Sequence, residues 1–206
     1  LHKEYRRQRQ MCIRDRHFAG SQGKLDYAFD VGGRHIGSSY DANGNRIAPE
    51  PSQGDMFNAN AFNVGAKLGV RLDDNQRVQL SVSHYNADQD TRYASDPAVA
   101  RLPPGSATAR PLDGLQLDDQ NQIRNTLVNL EYQHQSLWGS KLSTQVYYRD
   151  YYTRFTPFDA RAVVTRGNNV DQVMQNSHVL GSRITVDTPL GDAKRTKLLW
   201  LSLIHI

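Results

Sequence analysis

The sequence predicts an all-β chain, an antiparallel transmembrane β-barrel fragment of about seven strands with short periplasmic turns and long extracellular loops. Three observations lead there. Apolar residues recur with period two, each apolar strip is interleaved with a polar one, and short connections alternate with long ones. Successive side chains of a strand point to opposite faces, so an alternating strip has one apolar and one polar face. Nothing in the chain sustains a helical stripe of comparable length.

The first strip sets Leu25, Tyr27, Phe29 and Val31 against Lys24, Asp26, Ala28 and Asp30. The second sets Phe62, Val64, Ala66, Leu68, Val70 and Leu72 against Asn63, Gly65, Lys67, Gly69 and Arg71. Val78, Leu80 and Val82 form the third, and Val128, Leu130 and Tyr132 the fourth. In the fifth, Leu142, Thr144, Val146 and Tyr148 alternate with Ser143, Gln145, Tyr147 and Arg149. Leu180, Ser182, Ile184 and Val186 make a weaker sixth, and Thr196, Leu198 and Trp200 begin a seventh.

The connections separate a barrel from a soluble sandwich, whose strands alternate in the same way. Turn-forming residues 73–76, 136–140 and 189–193 close tight hairpins. Between the hairpins lie polar stretches at 33–60, 87–122 and 153–178, far longer than the usual connection in a compact domain. They fall at every second connection, hence at one end of the sheet. A barrel in a bilayer accounts for each part: strand-to-strand pairing satisfies the backbone, one face meets lipid and the other the lumen. Tyr148, Tyr151, Tyr152 and Phe155 cluster where the fifth strand nears its long loop, and Trp138 sits in a short turn. Tyr and Trp suit the headgroup layer at both ends.

Composition agrees once the ends are set aside. Hydrophobic residues make up 38% of 206, and the longest apolar run, at 198–206, is too short for a spanning helix. One cysteine excludes a disulfide framework and any multi-cysteine metal site. The net charge of +4 resides in residues 1–17, which hold six basic and two acidic side chains; the rest is neutral. The runs RQMCIRDR and LSLIHI, at 9–16 and 201–206, resemble translated adapter read-through. Residues 1–17 and 201–206 are therefore expected to be non-native, and 18–200 to be the partial barrel domain.

Enzyme chemistry has no foothold. No nucleophile elbow, zinc-protease helix, P-loop or dinucleotide fingerprint occurs. His35, His84, His134 and His178 lack metal-ligand spacing, and His84 and His134 fall in the outward rows near strand ends. Asp41, Asn43 and Asn45 open like a calcium loop, but Arg46 stands at the glycine position and Ser52 at that of the bidentate Glu. The segment reads as a loop turn, with a loose external calcium site as the alternative. The chain is expected not to be an enzyme and to bind no nucleic acid.

Residues 127–159, LVNLEYQHQSLWGSKLSTQVYYRDYYTRFTPFD, resemble barrel sequence of the TonB-dependent siderophore receptors. So do residues 40–55 (YDANGNRIAPEPSQGD), 64–86 (VGAKLGVRLDDNQRVQLSVSHYN) and 112–120 (LDGLQLDDQ). The ferric-aerobactin receptor branch is the nearest match within that family. The resemblance covers residues 18–200 and implies a Gram-negative outer-membrane barrel of roughly 22 strands, occluded by a plug. It implies a ferric siderophore as ligand, energy from the TonB complex acting through the plug, and contact with outer-membrane lipid and lipopolysaccharide. This chain would supply about a third of such a barrel. Plug and TonB box are not among its residues.

Arg92, Arg101, Arg110, Arg154, Arg161 and Arg166 are assigned to the long loops, and Tyr147, Arg149 and Tyr151 share the polar face of the fifth strip. Ferric siderophores with citrate or catecholate groups are anionic; arginine grips carboxylates with forked hydrogen bonds, and aromatic rims complete such pockets. Arg92, Tyr93, Tyr147, Arg149, Tyr151 and Arg154 are accordingly the candidate ligand-binding residues. No cofactor or resident metal is expected beyond the iron chelate itself. The alternatives are a passive porin-like channel and a soluble β-sandwich binding module.

Overall fold

The structure is a computed structural model describing residues 11–47, 56, 58–95, 111–113, 119–159, 169–190 and 196–206. It is all-β. Eight strands form one antiparallel sheet in chain order: β1 (Met11–Gln22), β2 (Leu25–Ile36), β5 (Ala59–Arg71), β6 (Gln76–Gln89), β9 (Gln122–Leu137), β10 (Ser140–Asp159), β11 (Val170–Leu190) and β12 (Thr196–His205). Two small hairpins lie within the long connections. They pair β3 (Ser39–Tyr40) with β4 (Arg46–Ile47), and β7 (Tyr93–Ser95) with β8 (Pro111–Asp113). The sheet is open, with β1 and β12 at its edges.

All seven expected strips are strands. An eighth precedes them, because Met11–Gln22 pairs with Leu25–Ile36 along its whole length. Short turns join β1 to β2, β5 to β6 and β9 to β10; long connections join β2 to β5, β6 to β9 and β10 to β11 at the opposite end. The β9–β10 turn is tighter than its sequence implies. Only Trp138 and Gly139 intervene, at φ 50° and 80°. Two successive left-handed residues make the hairpin turn whose twist matches that of the strands. Glycine adopts this conformation freely, whereas tryptophan does so at a steric cost.

Register puts every apolar strip on the same face. Leu25, Val70, Val78, Tyr132, Thr144 and Ile184 lie side by side from β2 to β11. The next row is Tyr27, Leu68, Leu80, Leu130, Val146 and Ser182, and the one beyond it Phe29, Ala66, Val82, Val128, Tyr148 and Leu180. A slip of one residue would turn a whole strip over, so such agreement across six strands specifies register strongly.

Among the described residues nothing packs against this apolar face. Leu68 is 40% exposed, Leu130 49% and Leu180 50%. The buried hydrophobic side chains among the described residues are Ala59, Ala61 and Ala87. Burying a leucine or valine contributes about 1.5–3 kcal/mol, so the sheet forgoes its main source of stability unless something apolar covers that face. No second sheet of comparable size packs on it among the described residues.

The two-faced pattern fails at both ends. On β1, Arg16 lies opposite Val31 and Arg14 opposite Gly33, both on the apolar face. The pattern resumes at Phe18, opposite Phe29. On β12, Leu199, Leu201 and Leu203 lie on the polar face opposite Asp187, Thr185 and Arg183.

The polar face holds the small and the hydrophilic. Arg77 of β6 reaches across β5 above Gly69 to Asp26 of β2, at 3.3 Å. Glu131 accepts hydrogen bonds from Gln133 Nε2 at 2.8 Å and Ser143 Oγ at 3.1 Å.

Candidate functional site

The long-loop end of the polar face gathers three of the six expected residues. Tyr147, Arg149 and Tyr151 stand at alternate positions on β10, opposite Asn129, Leu127 and Asn125 of β9. Tyr147 is half-buried over Gly181 of β11, where a Cβ would clash with the outer end of its ring. Its hydroxyl is 2.6 Å from His205 Nδ1. Arg149 is exposed, donates from Nε to Asn125 Oδ1 at 2.9 Å, and carries its guanidinium carbon 4.8 Å from the centroid of Tyr151. Stacked guanidinium, amide and phenol hydroxyls together offer donors to an anionic group over an aromatic floor.

Asn125 and Tyr85 also belong to this cluster, since Tyr85 of β6 lies opposite Asn125, which lies opposite Tyr151. Sequence parity places each on the polar side of its own strand. Only the β6–β9 register, across a long connection, brings them together.

Arg154 does not join them. Strand β10 runs on to Asp159, so Arg154 is a strand residue, not a loop residue, and its parity is even. It lies opposite Gln122 and Met174 on the face that carries the apolar strips. There it pairs with Asp119 at 2.9 Å and donates from Nε to the Gln120 carbonyl at 2.8 Å. Arg92 is exposed in the bend between β6 and β7, beyond the paired strand positions that hold the cluster. Tyr93 opens β7 opposite Asp113, and its side chain lies outside the described residues. Arg101, Arg110, Arg161 and Arg166 also lie outside them.

Above the cluster, a buried knot ties the strand ends. Ser38 Oγ donates to Asn58 Oδ1 at 3.0 Å, and Asn58 Nδ2 donates to Thr91 Oγ1 at 3.3 Å. The Thr91 N–H donates to Gln120 Oε1 at 2.7 Å, and that of Gln89 to the Asn121 carbonyl at 3.0 Å. Ala61, Ala87 and Thr153 pack on the polar face beneath this knot, with Thr153 1% exposed.

The residues that open like a calcium loop form the β3–β4 turn. Asp41 Oδ1 accepts the Asn43 and Asn45 N–H groups at 2.9 and 2.8 Å, and Oδ2 accepts Asn45 Nδ2 at 3.0 Å. The Asn45 side chain and backbone hold the Asp41 carboxyl below its ordinary pKa. In the β5–β6 turn the Asn75 N–H does the same for Asp73, helped by Gln76. Among the described residues no cluster of three or more His, Cys, Asp or Glu could hold a metal ion.

Fold and site together define a two-faced antiparallel sheet with one lipophilic side and a cationic, aromatic patch on the other. The relatives found by sequence are siderophore receptors. The chain is 27% identical over 153 residues to the rhizobactin receptor of Rhizobium meliloti (strain 1021), covering 71% of this chain and 20% of that protein. It is 22% identical over 167 residues to the ferric aerobactin receptors of Klebsiella pneumoniae and Escherichia coli, covering 81% of this chain and 22% of each. The chain thus spans about a fifth of the length of the curated relatives it matches. No family model matches it, and no solved structure does.

Proposed function

We propose that this chain is part of the barrel of an outer-membrane receptor that takes up a ferric siderophore in a Gram-negative cell. TonB supplies the energy through a plug lying outside these 206 residues. The observation that carries this reading is the continuous apolar face, left uncovered by the described residues, combined with similarity to siderophore receptors at 22–27% identity. Among the described residues no helix is long and apolar enough to cross a membrane, so strands would have to cross it.

The dimensions support it. From Phe62 to Leu72 the apolar row of β5 and its turn covers ten residue steps, about 34 Å at the strand rise. At a tilt near 40° this becomes about 26 Å, the height of a barrel's lipid-facing band. Tilt also requires the band to slide along successive strands. Its short-turn edge is Leu25 on β2, falls one pair lower at Leu142 on β10, and reaches Leu190 near the end of β11. The failures of the pattern at Arg14, Arg16, Leu201 and Leu203 support the reading that residues 1–17 and 201–206 are foreign to the receptor, although the departure on β12 already begins at Leu199.

Arg149, stacked on Tyr151 and held by Asn125, is the centre of the ligand patch, and a siderophore bearing carboxylates fits it best. The rhizobactin and ferric aerobactin receptors among its relatives are the branches from which such a ligand would come. The test is uptake by the intact gene in a strain lacking its own siderophore receptors. Radioiron carried by a citrate-hydroxamate siderophore should enter only when TonB is present. Iron entry that ignores TonB, with unselective passage of small sugars, would instead describe a passive channel.

A further inference from the structure

Near the short turns several side chains of the polar face are tied down. Arg77 pairs with Asp26, and Glu131 accepts from Gln133 and Ser143. Lys24 and Arg71 donate to the Leu72 and Gly23 carbonyls, each at 2.7 Å. One row near the long-loop end is different. From β2 to β11 it reads Gly32, Asn63, Tyr85, Asn125, Tyr151 and Ser177, without a charge and without an aliphatic side chain. Its side chains are half-buried, yet among the described residues no hydrogen bond reaches those of Asn63, Tyr85 or Ser177, nor the Tyr151 hydroxyl. Asn125 gives its side-chain carbonyl to Arg149 and keeps its amide donor.

The neighbouring rows set what this one can hold. The row above is closed, with Ala61, Ala87 and Thr153 buried beneath the polar knot. Directly below Tyr151 stands Arg149, the cation of the ligand patch, between Leu127 and Val179. A charged end is thus joined to a line of neutral donors and acceptors, four strand spacings or about 19 Å long. A half-buried hydroxyl or amide without a partner favours a ligand atom that supplies the missing bond. A net charge laid along the row would lose hydration and gain no counter-ion. Tyr85 stands two strands across and two residues along from Arg149, ~12 Å away, close enough for one chelate to touch both.

We infer that this row is a second subsite of the ligand patch, taking the uncharged, hydrogen-bonding arms of a chelate whose carboxylate Arg149 holds, with Tyr85 as its specificity-determining residue. This rests on the proposed siderophore-receptor function. Hydroxamate arms fit the row, because their oxygens accept hydrogen bonds while the iron they bind cancels their charge.

The experiment is isothermal titration of the intact receptor with two probes: ferric citrate, which offers carboxylates alone, and a ferric citrate-hydroxamate chelate. Wild type should favour the second. Tyr85→Phe deletes a single hydroxyl and should lower that preference about two- to tenfold, as expected for one neutral hydrogen bond. Ser177→Ala should lower it in the same direction. Arg149→Gln should weaken both chelates and keep their ratio. An unchanged ratio in Tyr85→Phe, or a ratio that falls as far in Arg149→Gln, would overturn the inference while leaving a siderophore receptor in place. So would a wild type that binds both chelates alike. If wild type binds neither, the siderophore reading itself fails, and the subsite with it.

Discussion

The ring of Tyr147 occupies the space a side chain at Gly181 would need. The two residues are directly opposed on β10 and β11, and a Cβ at 181 would lie 2.9 Å from the Tyr147 Cε1 atom and nearer still to the ring's outer end. The ring is thus laid against the sheet by its neighbour's lack of a side chain. Gly181→Val should lift it off, change the ligand patch beside Arg149, and leave the strand pairing in place. An aromatic contact contributes about 0.5–1.5 kcal/mol, so affinity of the intact receptor for its ferric siderophore should weaken by about two- to tenfold. Isothermal titration of the two proteins checks it; unchanged affinity would remove Tyr147 from the site.

The two arginines of β10 make opposite predictions. Arg149→Gln removes a stacked guanidinium from the polar face, and should weaken an anionic chelate by about tenfold or more, as expected for a charge-assisted hydrogen bond. Arg154→Gln breaks the contacts to Asp119 and the Gln120 carbonyl on the other face. It should leave affinity unchanged while loosening the strand ends, seen as faster amide exchange near residues 119–122. The same titration on both variants separates them, and equal losses would defeat the division of faces.

Parity can be tested without any ligand. Single cysteines replacing Tyr147 or Arg149 should react with aqueous thiol reagents in the membrane-embedded receptor, and one replacing Val146 should not, because Val146 belongs to the row of Leu130 and Ser182 on the apolar face. Cys12 is the one cysteine of the sequence and must be removed first. Reactive Val146→Cys with silent neighbours would reverse the register.

The legible part of this fold was the part under physical constraint. Each apolar strip from Leu25 to Trp200 has to face one way, so period two alone gave the strands, their common face and the orientation of Tyr147, Arg149 and Tyr151. Beyond the band both faces of a strand are wet, and alternation carries no information there. That is why β10 and β11 outrun the sequence reading, and why Arg154 looked like a loop residue. The approach of Tyr85 and Asn125 to Tyr151 depends on pairing across a long connection, which no local pattern encodes. Strand β1 stands outside the seven strips because residues 1–17 are set aside as non-native, and Arg14 and Arg16 break the alternation within it.

Two turn carboxylates predict an acid response outside the band. The Asn45 and Asn75 groups that donate to Asp41 and Asp73 favour their charged forms and hold both pKa values below the ordinary 3.8. A group whose folded pKa is depressed contributes its stability above the unfolded value and loses it as pH falls through the folded one. Both turns should therefore be intact at pH 5 and loosen only below about pH 4, with the carboxyl resonances titrating below 3.8. Carbon-detected NMR of selectively labelled aspartate measures this, and midpoints at or above 3.8 would show that the turn hydrogen bonds do not form in solution.

The strongest test of the lipid face is a charge placed on it. Leu68 and Val146 lie in the same row, midway between the short turns and the row of His84, Thr126 and Asp150. Arginine at the bilayer midplane of a barrel costs about 2–4 kcal/mol, falling to about 0–1 near the interfaces. Leu68→Arg and Val146→Arg should each destabilise the inserted receptor by ~2–4 kcal/mol, whereas Thr126→Arg, one row above the band, should cost ~0–1. The gradient carries more information than any single value, because a soluble sandwich would also resist arginine in its core but would show no dependence on depth along the strand. Reversible unfolding from vesicles gives the three numbers. Equal costs at Leu68 and Thr126, or none at either, would mean that this face never meets lipid.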